Sequence, residues 1–230
     1  MSGKLLYFDK GIYSIPDAAR LIGINTRSIS RWARGYHYPR SGTVRKSPPV
    51  FRADIEPYEG RYALSFLDLM ELRWVKAFRE HGLSFYKIRI AATRAAAILK
   101  THHPFASQRL FDDRKTIFFR IAQEENDSDL LDVVKGQYGI DRVISPLFLH
   151  DVEFENDFPT RWYPAGRDQG VVIDPGFSFG QPIVAKCNIR TSVLYASFKA
   201  EGSIEKAAKW YEVAPSAVRQ AVDFETRFAS

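Results

Sequence analysis

Apolar residues recur at helical spacing from the first tens of positions. Ile29, Trp32 and Ala33 stand at i, i+3 and i+4, which predicts the buried stripe of a short helix. A preceding helix is signalled by Ser14, by Asp17 three positions on as a reciprocal cap, and by Pro16 in the first turn. Small Ala19 would let a second helix cross closely, Gly23 suits a sharp turn, and Asn25 is a good cap for the next helix. Counted from Ala19, Gly23 falls four positions on, Ile29 ten and Trp32 thirteen, the spacing of a helix-turn-helix over residues 14–34. Tyr36 to Phe51 then predicts a β-hairpin, or wing, with Tyr38 and Val44 paired around the turn Arg40-Ser41-Gly42-Thr43 and Pro48-Pro49 ending it.

The pattern returns to helix at Ser65, which makes a capping box with Asp68. Leu67, Met70, Trp74, Ala77 and Phe78 form an apolar stripe, Gly82 stops that helix, and Ser84 caps another running to about Lys100 before Pro104. Residues 104–172 are expected to be β-rich. Lys115 to Ala122 is a strand candidate, and Val143-Ile144, Val152-Glu153-Phe154 and Trp162-Tyr163 could add short strands. The last stretch begins with a short strand at Val171-Val172-Ile173 and a turn-rich loop from Asp174 to Pro182. A hairpin-like stretch at Ile183-Val184 and Asn188-Ile189 leads to three helices: Ser192 to Glu201, Ile204 to Tyr211 capped by Ser203, and one opened by Ala214-Pro215. Ala208, Val213 and Val218 would anchor the last two. The expected fold class is α+β, in three parts: a winged helix-turn-helix over 1–102, a β-rich acidic middle segment over 103–170 and a trihelical module over 171–230.

Charge divides the chain. The net charge is +6, yet residues 1–100 hold 18 Lys and Arg against 8 Asp and Glu, and residues 101–230 hold 15 against 19. A basic half gains free energy by releasing counterions from phosphate, whereas an acidic half would stay off nucleic acid. The single Cys187 excludes an internal disulfide framework and fits a reducing cytoplasm. Asp9 and Lys10 interrupt the first apolar run, so no signal peptide is expected, and no apolar run is long enough for a membrane span.

The charge has a particular place on the second helix. Arg27, Ser30, Arg31 and Arg34 fall opposite its buried stripe, and Thr26 and Ser28 lie near its start, where base-edge contacts usually originate. Arginine pairs bidentately with guanine, and serine or threonine with several bases. Arg40, Arg45 and Lys46 near the wing tip would contact phosphate. These nine residues are the candidate DNA-contacting set; a helical hairpin with a solvated basic face is the bland alternative. In the last module the corresponding helix (Ser216, Arg219, Gln220, Asp223, Glu225) is close to neutral, which suits packing better than reading DNA.

Residues 124–157 carry ten acids against two bases. A solvated surface, a face docking a basic protein, and a metal-dependent nuclease site compete there; no motif links the carboxylates into convergent ligands. His102-His103 reads as a helix end with no second ligand pair. No nucleophile–base pair, phosphate loop or metal signature appears, so no catalytic residue, metal or cofactor is expected.

The helix-turn-helix, the wing, and the helices entered through LSFLDLMELRWVKAFREHGLS (Leu64 to Ser84) resemble the MerR-type winged-helix domain over about residues 10–100. The departure is downstream, where no dimerising heptads follow Pro104. The C-terminal part resembles the small DUF family numbered four-three-three. The match rests on Asp174, Pro175, Gly180, Pro182, Ile183, Val184, Ile189, Ser203, Ile204, Glu205, Tyr211, Val218 and Ala221. Where that family has Arg-Gly-Thr-Arg, this chain has Ala185-Lys186-Cys187-Asn188. Together the two parts are similar to VapB-type antitoxins. That resemblance implies a bacterial type II toxin–antitoxin pair, in which the chain would bind a PIN-domain ribonuclease toxin through 104–230 and repress its own operon. Asp174, Pro175, Gly180, Pro182 and Tyr211 are the implied toxin or dimer contacts. A homodimer on double-stranded operator DNA is expected, because half-site readers gain affinity by symmetry. A ligand-sensing regulator without a toxin and a metal-dependent nuclease are the alternatives.

Overall fold

The Ser14 capping box forms: its hydroxyl accepts the Asp17 N–H at 3.2 Å, and the Asp17 carboxylate accepts the Ser14 N–H at 3.3 Å. It opens the fold of a computed structural model that describes residues 10–40, 42–125 and 150–228. Helix α1 (Ile15–Ile22) ends at Gly23, and α2 (Thr26–Arg34) starts where the Asn25 side chain accepts the Ser28 N–H at 2.8 Å. The strand β1 (Tyr13–Ser14) pairs antiparallel with β4 (Ala63–Leu64), tying the start of α1 to the start of α3 (Phe66–Glu80). The Ser65–Asp68 capping box forms as well, and α4 (Phe85–Leu99) is capped by Ser84.

Between α2 and β4 lies the wing, β2 (Tyr36–Arg40) against β3 (Thr43–Ser47). Its register departs from expectation by one residue. Tyr38 faces Arg45, and Val44 faces Pro39, because a two-residue turn brings Arg40 opposite Thr43. Gly35 admits the hairpin: at φ 73° its backbone passes so close that a Cβ would lie 2.3 Å from the Ser47 carbonyl.

The strand expected over 115–122 is a correction. That stretch is helical, within α6 (Arg114–Glu124), preceded by α5 (Gln108–Asp112). Ile117, Phe118, Ile121 and Ala122 are buried, a helical rather than alternating period. β-branched and aromatic composition misled here because tertiary packing overrides strand propensity: Phe118 meets Phe78 of α3 edge-on with centroids 5.4 Å apart. The β character of the middle segment is confined, among the described residues, to the hairpin β5 (Val152–Glu155) with β6 (Phe158–Trp162). Val143-Ile144, like Asp127, Asp129, Asp132 and Asp141, lies outside the described residues.

A three-stranded sheet follows, in the order β7 (Val171–Val172), β8 (Ile183–Val184), β9 (Ile189–Arg190), all antiparallel. Helices α7 (Thr191–Glu201), α8 (Ile204–Trp210) and α9 (Pro215–Arg227) complete the chain. Two apolar clusters hold it. The larger joins residues from Tyr13 to Ile173, and Phe224 of α9 enters it; Tyr13, Phe66, Trp74, Phe78, Phe105 and Phe118 are its fully buried aromatics. The smaller, around Val184, Leu194, Ala207, Val218 and Ala221, is the trihelical core.

Candidate nucleic-acid interface

The apolar stripe of α2 does what its spacing implies. Ile29 is fully buried, Trp32 and Ala33 nearly so, and Trp32 packs its ring 5.6 Å from that of Phe85 on α4. A second tie fixes the pair of helices: Lys76 of α3 donates to the Ile22 carbonyl at 2.9 Å, a cation at the C-terminal end of α1. With that stripe held, the opposite face is open. Thr26, Arg27, Arg31 and Arg34 are exposed, while Ser28 and Ser30 are partly buried. Among the described residues no carboxylate forms an ion pair with the three arginines.

Two of those arginines lie on aromatic rings. The Arg31 guanidinium sits 3.9 Å from the Tyr36 ring centroid, and that of Arg34 sits 4.1 Å from Tyr62. Neither tyrosine was in the candidate set. Tyr36 could have been noticed as an aromatic in the wing; Tyr62 carries no sequence signal, because only the fold brings it to the end of α2.

The wing register sorts its basic residues. Cross-strand partners share a face, so Arg45 lies with Tyr38 and Tyr36, on the side where Arg31 meets the ribbon. Lys46 lies opposite His37 on the other face. Both are exposed, and as neighbours on one strand they present to opposite faces of the ribbon. The Arg40 side chain lies outside the described residues. Arg89 of α4 donates to the Ser47 hydroxyl at 3.1 Å and braces the ribbon from behind.

The implied toxin or dimer contacts sit mostly inside the fold. Asp174 is buried; it accepts from Arg161 Nε at 2.7 Å and from the Gly176 N–H at 2.9 Å. Gly180 and Pro182 are buried, and their carbonyls accept from the Tyr13 hydroxyl and the Thr191 N–H. Tyr211 packs on the trihelical core, and Pro175 is partly buried. In α9, Glu225 pairs with Arg20 of α1 at 3.1 Å and accepts from the Thr191 hydroxyl at 2.5 Å, so part of that helix face is spent on packing.

His102 and His103 divide. His102 is exposed, but His103 is buried with Nε2 2.8 Å from Asp54 Oδ1. Asp54, Asp68 and His103 bring metal-type donor atoms within 4.8 Å of one another. Their hydrogen bonds already serve the fold. Asp68 accepts the Ser65 and Asp54 N–H groups, Asp54 also accepts the Ser65 hydroxyl, and neighbouring Glu71 accepts the Phe105 N–H at 2.8 Å. Burial raises the Asp68 carboxyl to about 6 and that of Glu71 to about 8. Burial opposes the charged His103 ring, but its hydrogen bond and charge pairing with Asp54 outweigh this and raise its pKa. Asp54 is lowered: burial works against its charge, and the His103 contact wins. Glu153 and Asp157 of the middle segment are likewise engaged. Glu153 accepts from Arg167 at 2.8 Å and from Tyr163 at 3.0 Å, and Asp157 accepts the Ser107 hydroxyl and the Arg109 N–H, each at 2.8 Å. No helix among the described residues is long and apolar enough to cross a membrane.

Comparison with known proteins agrees with this geometry. Residues 11–92, from β1 through most of α4, match the family described as "Putative DNA-binding HTH domain". The chain is 25% identical over 229 residues to "Putative antitoxin VapB45" of Mycobacterium tuberculosis (strain ATCC 25618 / H37Rv), covering 95% of each. It shares its fold with the X-ray crystal structure of Rv2018 from Mycobacterium tuberculosis, at a TM-score of 0.71 and 23% identity over 94% of this chain and 100% of that one. The chain is thus an α+β protein with an N-terminal helix-turn-helix domain, similar along nearly its whole length to a protein named as an antitoxin.

Proposed function

We propose that this chain is a DNA-binding antitoxin of the VapB type, not an enzyme, acting in the bacterial cytoplasm. The observation that carries the reading is the α2 face: exposed Thr26, Arg27, Arg31 and Arg34 on a helix pinned from behind by Ile29 and Trp32, with a basic wing beside it. A helix so held fits a major groove, with its first residues toward base edges and the wing on phosphate. The relative named as an antitoxin, covered along 95% of both chains, supports the second half of the reading. The cognate partner is a PIN-domain ribonuclease docked on 104–230, and a homodimer represses the operon that encodes both proteins.

Two measurements test this. Mobility shift on the duplex upstream of the chain's own coding sequence should show specific binding that weakens as salt rises. Co-expression with the product of the adjacent gene should yield a complex in which ribonuclease activity is suppressed. A chain that binds the upstream duplex and a scrambled one equally, and emerges alone from co-expression, contradicts both halves.

A further inference from the structure

Two of the three exposed arginines of α2 rest on aromatic rings. Arg31 and Arg34 each lie over a tyrosine supplied from outside the helix-turn-helix: Tyr36 opens the wing, and Tyr62 stands just before β4. A planar guanidinium on an aromatic face is held by the ring quadrupole, and its N–H fork stays available for a partner in its own plane. Both arginines remain exposed while both tyrosines are partly buried, so the rings are fixed by the framework and the charges face solvent. The Tyr36 backbone pairs with Ser47, and Ser47 is in turn held by Arg89. A long side chain immobilised on binding loses rotamer freedom; restricting it beforehand removes part of that loss.

We propose that Tyr36 and Tyr62 are positioning residues that pre-orient Arg31 and Arg34 toward guanine edges in the major groove. This rests on the DNA-binding reading above and deepens it. A guanidinium fork fits guanine O6 and N7, so the gain falls on sequence discrimination and not on phosphate attraction. The wing thereby contributes to specificity through a side chain that touches no base.

The probe is a duplex recovered by the wild-type protein from a random pool, compared with a scrambled duplex of equal composition. Tyr36→Leu should weaken the recovered duplex about three- to tenfold, leaving scrambled binding and the salt slope unchanged. Tyr36→Phe, which keeps the ring, should bind like wild type. In an Arg31→Ala background Tyr36→Leu should have no further effect, and Tyr62→Leu should behave alike against Arg34→Ala. If Tyr36→Leu does not fold by circular dichroism, Tyr36→Met, which keeps bulk without an aromatic face, carries the same expectation. Equal losses on both duplexes, or a loss that persists without Arg31, would mean that Tyr36 only supports the wing and would overturn the proposal. Wild-type protein that recovers no duplex defeats the DNA-binding reading and this proposal with it; Tyr36→Leu and Tyr62→Leu proteins that bind the recovered duplex normally defeat this proposal alone.

Discussion

The Tyr13 hydroxyl donates to the Gly180 carbonyl at 2.9 Å, joining residues 167 positions apart. Beside it the Ile12 N–H donates to the Phe179 carbonyl at 2.9 Å. The residue that leads into the helix-turn-helix is therefore anchored in the loop that precedes the trihelical module. Burial pushes the Tyr13 phenol far above its ordinary value, so it donates at any working pH.

That joint should be sensitive to one atom on either side. Tyr13→Phe leaves the Gly180 carbonyl without its donor and should cost about 1–2 kcal/mol in urea unfolding. Gly180→Ala should cost more. A Cβ there would lie 2.2 Å from the Tyr13 hydroxyl, on a backbone at φ 77° that favours glycine. An unchanged midpoint for Gly180→Ala would show that the two segments separate readily.

A second joint is the Arg20–Glu225 pair, 3.1 Å apart and mostly shielded from water. Glu225→Ala removes the carboxylate shared by Arg20 and Thr191. Stability should fall by about 1.5–3 kcal/mol, read as a lower melting temperature. Arg20→Ala combined with Glu225→Ala should be less than additive, because the two share one interaction.

For the DNA interface, Arg31→Ala should weaken specific binding by about 1–3 kcal/mol while sparing random duplex. Arg45→Ala should lower the salt slope by about one, as loss of a phosphate contact does. Lys46→Ala should do less, since the register turns Lys46 away from the Arg31 side of the ribbon. Equal salt slopes for the two wing variants would remove that distinction.

Stability should decline from mildly acid to mildly alkaline pH. Glu71 is raised from its ordinary 4.5 to about 8, so the folded state holds a proton that the unfolded chain has released across that interval. Folding is then progressively less favoured as pH rises through it. Asp68, raised to about 6, acts in the same sense over a lower range. His103 adds to the decline, because its raised pKa gives a stabilisation complete below the ordinary histidine value and lost as pH rises through the folded one. Asp54 acts oppositely: its lowered pKa stabilises above the ordinary aspartate value and is lost in stronger acid. Urea midpoints at about pH 5 and about pH 8 measure the slope, and Glu71→Gln should flatten it.

By itself the sequence determined the local devices: the Ser14 and Ser65 capping boxes, the Asn25 and Ser203 caps, the buried stripe of α2 and the exposed arginines opposite it. Those depend on neighbours within one or two turns, so spacing is enough to reveal them. Tertiary structure decided the rest. It made 115–122 a helix, because Phe118 is buried against Phe78 whatever its own strand preference. It set the wing register through a two-residue turn, and so the face on which Arg45 stands. It brought Tyr36 and Tyr62 beneath two arginines, Gly180 to Tyr13 and Glu225 to Arg20, and it turned Asp174 and Gly180 inward. Each of these is a meeting of groups whose partners lie outside the local segment, settled by which side chains fill a shared core and not by the order of residues along the chain.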